Sequence, residues 1–179
     1  MNPHPAAAHF IAIAKRDVGQ VEASRNRASW IAKYWPTTTY PDGHTNREPY
    51  CAAAVTYWLA TLGRELAERG LFRSSFGMTL KQFETWRCKS ARAFDWRDWA
   101  HKRNLTVLPE TATAKPGDII VFDFSHIGLI EADLGKAGFA TIEANTNKAG
   151  SREGDGCWNK TRARHLAQVI IRLPFNNTP

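Results

Sequence analysis

Between residues 5 and 18 apolar side chains return every three or four positions. Phe10, Ile11, Ala14 and Val18 fall on one side, and Gly19 ends the run. That spacing predicts a first helix with one buried face. A second helical run covers residues 28–35 and is cut by Pro36, and residues 37–49, rich in Thr, Pro, Asp, Gly and Asn, read as a loop. From residue 49 the pattern turns almost continuously apolar. Residues 52–62 predict a buried central helix that continues past Gly63 to about residue 68. Thr79 is placed to cap a short helix ending near Arg87, and Ser90 another ending near Lys102. Their aromatic residues (Phe83, Trp86, Phe94, Trp96 and Trp99) are expected to pack mostly on the core.

At Pro116 the period changes. Pro116-Gly117 is a turn signal, and residues 118–122 form a β-branched strand. Residues 126–132, 139–144 and 169–173 are further strands, separated by turn-like residues 133–138 and 145–156. Helices first and antiparallel strands afterwards predict an α+β fold. With no repeat and no linker composition, residues 1–179 read as one domain.

Composition narrows the function classes. The chain is 43% hydrophobic with seven Trp and nine Phe, enough for a sizeable core. The net charge of +7 favours anionic surfaces such as nucleic acids, acidic membranes or wall polymers. The basic residues are scattered, however, and no zinc-finger spacing or RNA-recognition motif is present, so nucleic acid is not the expected partner. No apolar stretch approaches the roughly 20 residues that span a bilayer, so no membrane insertion is expected. The first ten residues lack a cationic start and an apolar core, which predicts synthesis in the cytoplasm without a signal peptide. Three widely spaced cysteines, Cys51, Cys88 and Cys157, argue against a disulfide framework. No histidine spacing suits a metal, and neither metal nor other cofactor is expected.

The candidate chemistry lies in Cys51, His126, Glu143 and Asn145. Cys51 stands at the predicted start of the central helix, directly after a polar loop. There the unpaired N–H groups and the positive end of the helix dipole favour a thiolate. A buried cysteine is more often an inert small hydrophobe, and its place in the first turn is what sets this one apart. His126 opens an apolar strand in which Gly128 permits the close approach of another segment. Glu143 and Asn145 are two residues apart, so strand alternation sends both to one face, where either could orient the imidazole. Of the other histidines, His44 is the competitor because it lies close to Cys51 in sequence. The order cysteine, histidine, then carboxylate or amide is that of papain-like thiol hydrolases.

These residues sit in segments that resemble the CHAP family, cysteine- and histidine-dependent amidohydrolases and peptidases of bacterial peptidoglycan, and most of all its single-domain phage and prophage branch. The segments are Asp17-Val18-Gly19-Gln20-Val21-Glu22 with Asn26-Arg27, and Pro49-Tyr50-Cys51-Ala52-Ala53-Ala54-Val55. Further on come Lys115-Pro116-Gly117-Asp118-Ile119-Ile120-Val121-Phe122 with His126-Ile127-Gly128, and Ile142-Glu143-Ala144-Asn145-Thr146-Asn147. Asp155-Gly156-Cys157, leading to Arg162 and Arg164, is similar to the family's closing turn and strand. The resemblance implies a papain-like fold with the cysteine helix packed on an antiparallel sheet. In it Cys51 is the nucleophile, His126 the base, and Glu143 with Asn145 the orienting groups. It also implies hydrolysis of an amide of the stem peptide or of its junction with the glycan. Two departures stand out. Tyr50 precedes the cysteine where many members have Trp and some Gln, which leaves the oxyanion-hole side chain unassigned. The region from 66 to 86 is long and is expected as a lid or binding flank.

The implied partner is bacterial peptidoglycan, reached after release or assisted export. A holin, a secretion apparatus or an immunity protein would then be the accessory partner. Two rival readings share the same residues: a non-catalytic wall-binding or structural module of a phage particle or secretion system, and a thiol protease or acyltransferase with a non-wall substrate.

Overall fold

The computed structural model describes residues 3–151 and 153–176, so the first two residues of the N-terminal stretch lie outside it. Helix α1 (Pro5–Lys15) starts under a His4 cap, whose Nδ1 accepts the Ala6 N–H at 3.1 Å. It buries Ala6, Ala7, Phe10, Ile11, Ile13 and Ala14. The helix ends three residues before the periodicity suggested, and the reason is Asp17. This carboxylate turns inward and accepts the Tyr34 hydroxyl at 2.8 Å, the Trp58 indole N–H at 2.7 Å and the Lys33 ammonium. One buried acid thus joins the end of α1 to two later elements.

Residues 29–37 wind as a 3-10 helix rather than an α-helix, with Pro36 inside its last turn. Helix α2 (Cys51–Glu68) is the central element and runs through Gly63 as the pattern predicted. Its residues Ala52, Ala53, Ala54, Val55, Trp58, Leu59 and Leu62 are buried, which explains the near absence of charge over its first three turns. An ideal Cβ on Gly63 would lie 2.5 Å from the Phe83 ring, so the missing side chain admits that aromatic against the helix.

Short helix α3 (Phe72–Phe76) has no counterpart in the sequence reading. Helix α4 (Leu80–Trp86) carries the predicted Thr79 cap, completed by Gln82 as a capping box. Helix α5 (Ala93–Lys102) begins after Arg92 rather than at Ser90. Ser90 instead donates its hydroxyl to Asp95 at 2.5 Å and accepts the Arg92 N–H at 3.1 Å, which orders the approach to the helix. Phe72, Phe76 and Phe83 bury together, with ring centroids 4.9–5.2 Å apart. Residues 66–86 thus place Leu66, Phe72, Phe76 and Phe83 in the core.

The strands are β1 (Thr106–Leu108), β2 (Ile119–Phe122), β3 (His126–Asp133), β4 (Phe139–Thr146), β5 (Gly156–Arg162) and β6 (Ala167–Arg172). They form one antiparallel sheet in the order β1-β6-β2-β3-β4-β5. The α+β expectation holds at this level. One face of the sheet, with Ile119, Val121, Ile127, Leu129 and Ile142, packs on α1 and α2. A smaller apolar cluster (Ile120, Phe122, Ile130, Phe139 and Ile170) lies in the opposite alternation. Residues 19–22 run along the outside of β5: Gly19 N–H donates to Cys157 O at 2.8 Å, Cys157 N–H to Gln20 O at 3.1 Å, and Glu22 N–H to Asp155 O at 2.6 Å. Among the described residues no helix is long and apolar enough to cross a membrane.

Candidate active site

Helix α2 starts at Cys51, and its first main-chain bond runs from Ala54 N–H to Tyr50 O, so the N–H groups at the head of the helix have no partner within it. Cys51 is only 6% exposed, yet it opens onto a groove of about 900 Å³. One border of the groove comes from residues 35–49 (Trp35, Thr39, Tyr40, Glu48 and Pro49) and another from residues 90–95 ahead of and within α5, and Ser125 lines it too. Residues 66–86, expected as a lid or binding flank, do not line this groove.

β3 delivers His126 to the buried side of this groove. Ser125, in the left-handed region at φ 59°, turns the chain from β2 into β3, and His126 pairs with Phe122. The imidazole is fully buried and packs against Phe122 and Phe124, both at 5.9 Å between ring centroids and themselves 5.1 Å apart. Its Nε2 lies 3.1 Å from Oε2 of Glu143. That nitrogen faces the carboxylate, and Cys51 acts on the imidazole as well. Burial works against charge on His126. Cys51 and Glu143 outweigh it and raise the imidazole to about 9 from an ordinary value of 6.5.

Glu143 is fully buried in β4, where burial alone would favour the neutral acid. Arg162 of β5 overrides this. Its Nε donates to Oε1 at 2.9 Å and to Oε2 at 3.1 Å, and its Nη2 donates to Oε2 as well. Thr141 donates its hydroxyl to Oε1 at 2.6 Å. Arg162 and His126 hold the carboxyl down at about 2. The approach of Glu143 to His126 depends on Gly128: a Cβ there would lie 2.7 Å from Cγ of Glu143 and 3.0 Å from Ile142 O. The close approach anticipated at this glycine is the approach of the carboxylate itself.

Asn145 is also buried, but not for the reason that alternation gave. β4 and β5 slip register between Ala144 and Thr146, and Asn145 is the extra residue, at φ 59°. Its main-chain N–H faces the Tyr50 hydroxyl. Of the two proposed orienting groups, Glu143 is the one at ion-pair distance from the imidazole.

Tyr50 is fully buried, 6.1 Å from Tyr34 in a stacked pair and 5.6 Å edge-on to Trp30. Its hydroxyl points toward Glu22 and Asn145, away from a role at the groove, and burial, together with Glu22, pushes its pKa far up. His44, the competing base, contacts Ala28 O through Nε2 at 3.1 Å and so fastens its loop. All three cysteines are free thiols. Burial pushes Cys88 up to about 12 and Cys157 higher still, which leaves Cys51 as the thiol that meets the groove. Among the described residues no three His, Cys, Asp or Glu side chains gather as a metal site.

Arg162 and Thr141 escaped the sequence reading as site residues. The alternation in residues 156–162 is a strand signal, but it begins inside a stretch whose Gly, Ser and Asn content reads as turn. Only the pairing of Phe139 with Arg162 and of Glu143 with Trp158 puts Arg162 and the acid on one face. Chemically, the arrangement can hold a proton beside a sulfur, orient the ring that holds it, and offer main-chain N–H groups to an oxyanion. No family model, no curated protein and no solved structure matches the chain.

Proposed function

We propose that this chain is a cysteine-dependent hydrolase of bacterial peptidoglycan, cutting an amide of the stem peptide or of its junction with the glycan. The observation that carries the reading is the buried line Cys51–His126–Glu143, which meets the groove only at its sulfur end. The cysteine helix lying on an antiparallel sheet supports a papain-like fold, and the scattered positive charge suits an anionic wall.

In the reaction, His126 takes the thiol proton and the Cys51 sulfur attacks the amide carbonyl. The Cys51 N–H and the head of α2 receive the negative oxygen of the tetrahedral intermediate. No side chain is needed there, which accommodates Tyr50. The imidazolium gives its proton to the leaving amine, and an acyl-enzyme remains. His126 then draws a proton from water, the hydroxide attacks the thioester, and a carboxylate leaves as the thiol is restored. Glu143 keeps Nε2–H engaged throughout, so Nδ1 faces the sulfur.

Mass spectrometry of fragments released from purified sacculi tests this. New amino and carboxyl ends produced by the wild type and missing with Cys51→Ala support the reading, and the fragment masses name the bond. Intact sacculi with a folded wild-type protein would sink it and turn attention to a binding module or a non-wall amide.

A milder variant probes the geometry. Gly128→Ala is expected to fold at a cost of about 1–3 kcal/mol, because the new methyl overlaps Glu143 Cγ. By displacing the carboxylate it should lower kcat about 10-fold or more with KM little changed. Steady-state kinetics beside a thermal melt would check it, and an unchanged kcat would mean that the spacing of β3 and β4 is not what sets His126.

A further inference from the structure

We propose that Arg162 is a positioning residue of this site: it keeps the Glu143 carboxylate ionised and aimed at His126, and so sets the acid limit at which Cys51 can be used. The inference rests on the thiol-hydrolase reading above.

The guanidinium is only 7% exposed, and its polar edges are occupied. Nε and Nη2 hold Glu143, Nη1 donates to Gly150 O at 2.8 Å, and Nη2 also reaches Thr146 Oγ1 at 3.4 Å. Its carbon lies 5.4 Å from the Phe122 ring centre and 5.5 Å from that of Phe124. These are the same two rings that stack on His126. One aromatic pair therefore fixes both the base and the cation that anchors its carboxylate.

Among the described residues, few groups act on Glu143. β3 supplies His126 with Cys51 of α2 behind it, β5 supplies Arg162 and the Cys157 thiol, and β4 itself supplies the Thr141 hydroxyl. Arg162 is the one permanent cation among these. His126 cannot take its place, because its charge changes during turnover while Glu143 must stay an acceptor. Without a fixed cation a fully buried carboxylate takes up a proton at a higher pH, and a protonated Glu143 no longer holds Nε2–H. A clamp that served only the fold would behave differently: its loss would lower reactivity alike at every pH.

Cys51 alkylation by iodoacetamide, followed by peptide mass mapping from roughly pH 4 to 9, separates these cases in the full chain. Arg162→Met and Arg162→Gln are expected to move the acid limb of the rate profile up by about one pH unit or more, whereas Arg162→Lys stays within about 0.3 unit of wild type. A folded neutral variant whose limb coincides with that of wild type overturns the proposal. If circular dichroism shows that neither neutral variant folds, Arg162→Lys decides. A retained limb supports the proposal, and a shift beyond about one unit overturns it, since charge alone would not then hold the carboxylate. Alkylation needs no wall substrate, so a wrong assignment of peptidoglycan leaves the result standing. A wild-type Cys51 that alkylates like an ordinary free thiol overturns both the proposal and the thiol-hydrolase reading.

Discussion

Replacing Cys51 or His126 by alanine is expected to lower fragment release from sacculi by at least about 10³-fold while leaving the fold intact. The size follows from the absence of a substitute. Cys88 and Cys157 are buried thiols held well above their ordinary range, and His44 is engaged with the main chain at Ala28. On the proposed mechanism sulfur and imidazole act as one unit, so the double variant should be no slower than the worse single one. Quantitative release assays on the three proteins check this. A single variant within about 10-fold of wild type would remove these residues from the chemistry.

Glu143→Gln is expected to be the most destabilising single change in the site, at about 3–5 kcal/mol, because it leaves the buried guanidinium of Arg162 facing a neutral amide. For a chain of this size that is a fall in melting temperature of about 6–20 °C. A loss below about 1 kcal/mol would mean that the pair contributes little to folding. The same group gives a pH dependence whose sign can be worked out. Glu143 is lowered to about 2, so its contribution is full above its ordinary 4.5 and fades as pH falls toward 2. His126 is raised to about 9, so its contribution is full below 6.5 and is lost as pH climbs through 9. Denaturation at a series of pH values should therefore place the greatest stability contributed by this pair between 4.5 and 6.5. Glu143→Gln should flatten both flanks.

How far the sequence led depends on the element. The central helix was legible because residues 52–62 are apolar on every side, and Cys51 could be placed at its head because the polar loop stops there. The strands carrying His126 and Glu143 were legible from their β-branched runs, and Gly128 stood out as a gap in one of them. The bulge at Asn145 was not, since one inserted residue leaves no mark in a hydrophobic pattern. Nor was the partnership of Arg162 with Glu143, which spans 19 positions and exists only through strand register. Ser90 looked like a cap because its neighbours suit one, yet Asp95 captures its hydroxyl. Local preference located Cys51 and His126, and tertiary pairing determined what stands behind them.

The segment at residues 19–22 has a consequence for the molecule in a crowded solution. By running beside Gly156 and Cys157 it occupies hydrogen-bonding groups at the start of β5, one margin of the sheet. The other margin is β1, only three residues long. A sheet whose borders are covered at one end and short at the other offers little template for a strand from another chain. The fold thus carries its own protection against edge-to-edge aggregation, supplied by the stretch that follows its first helix.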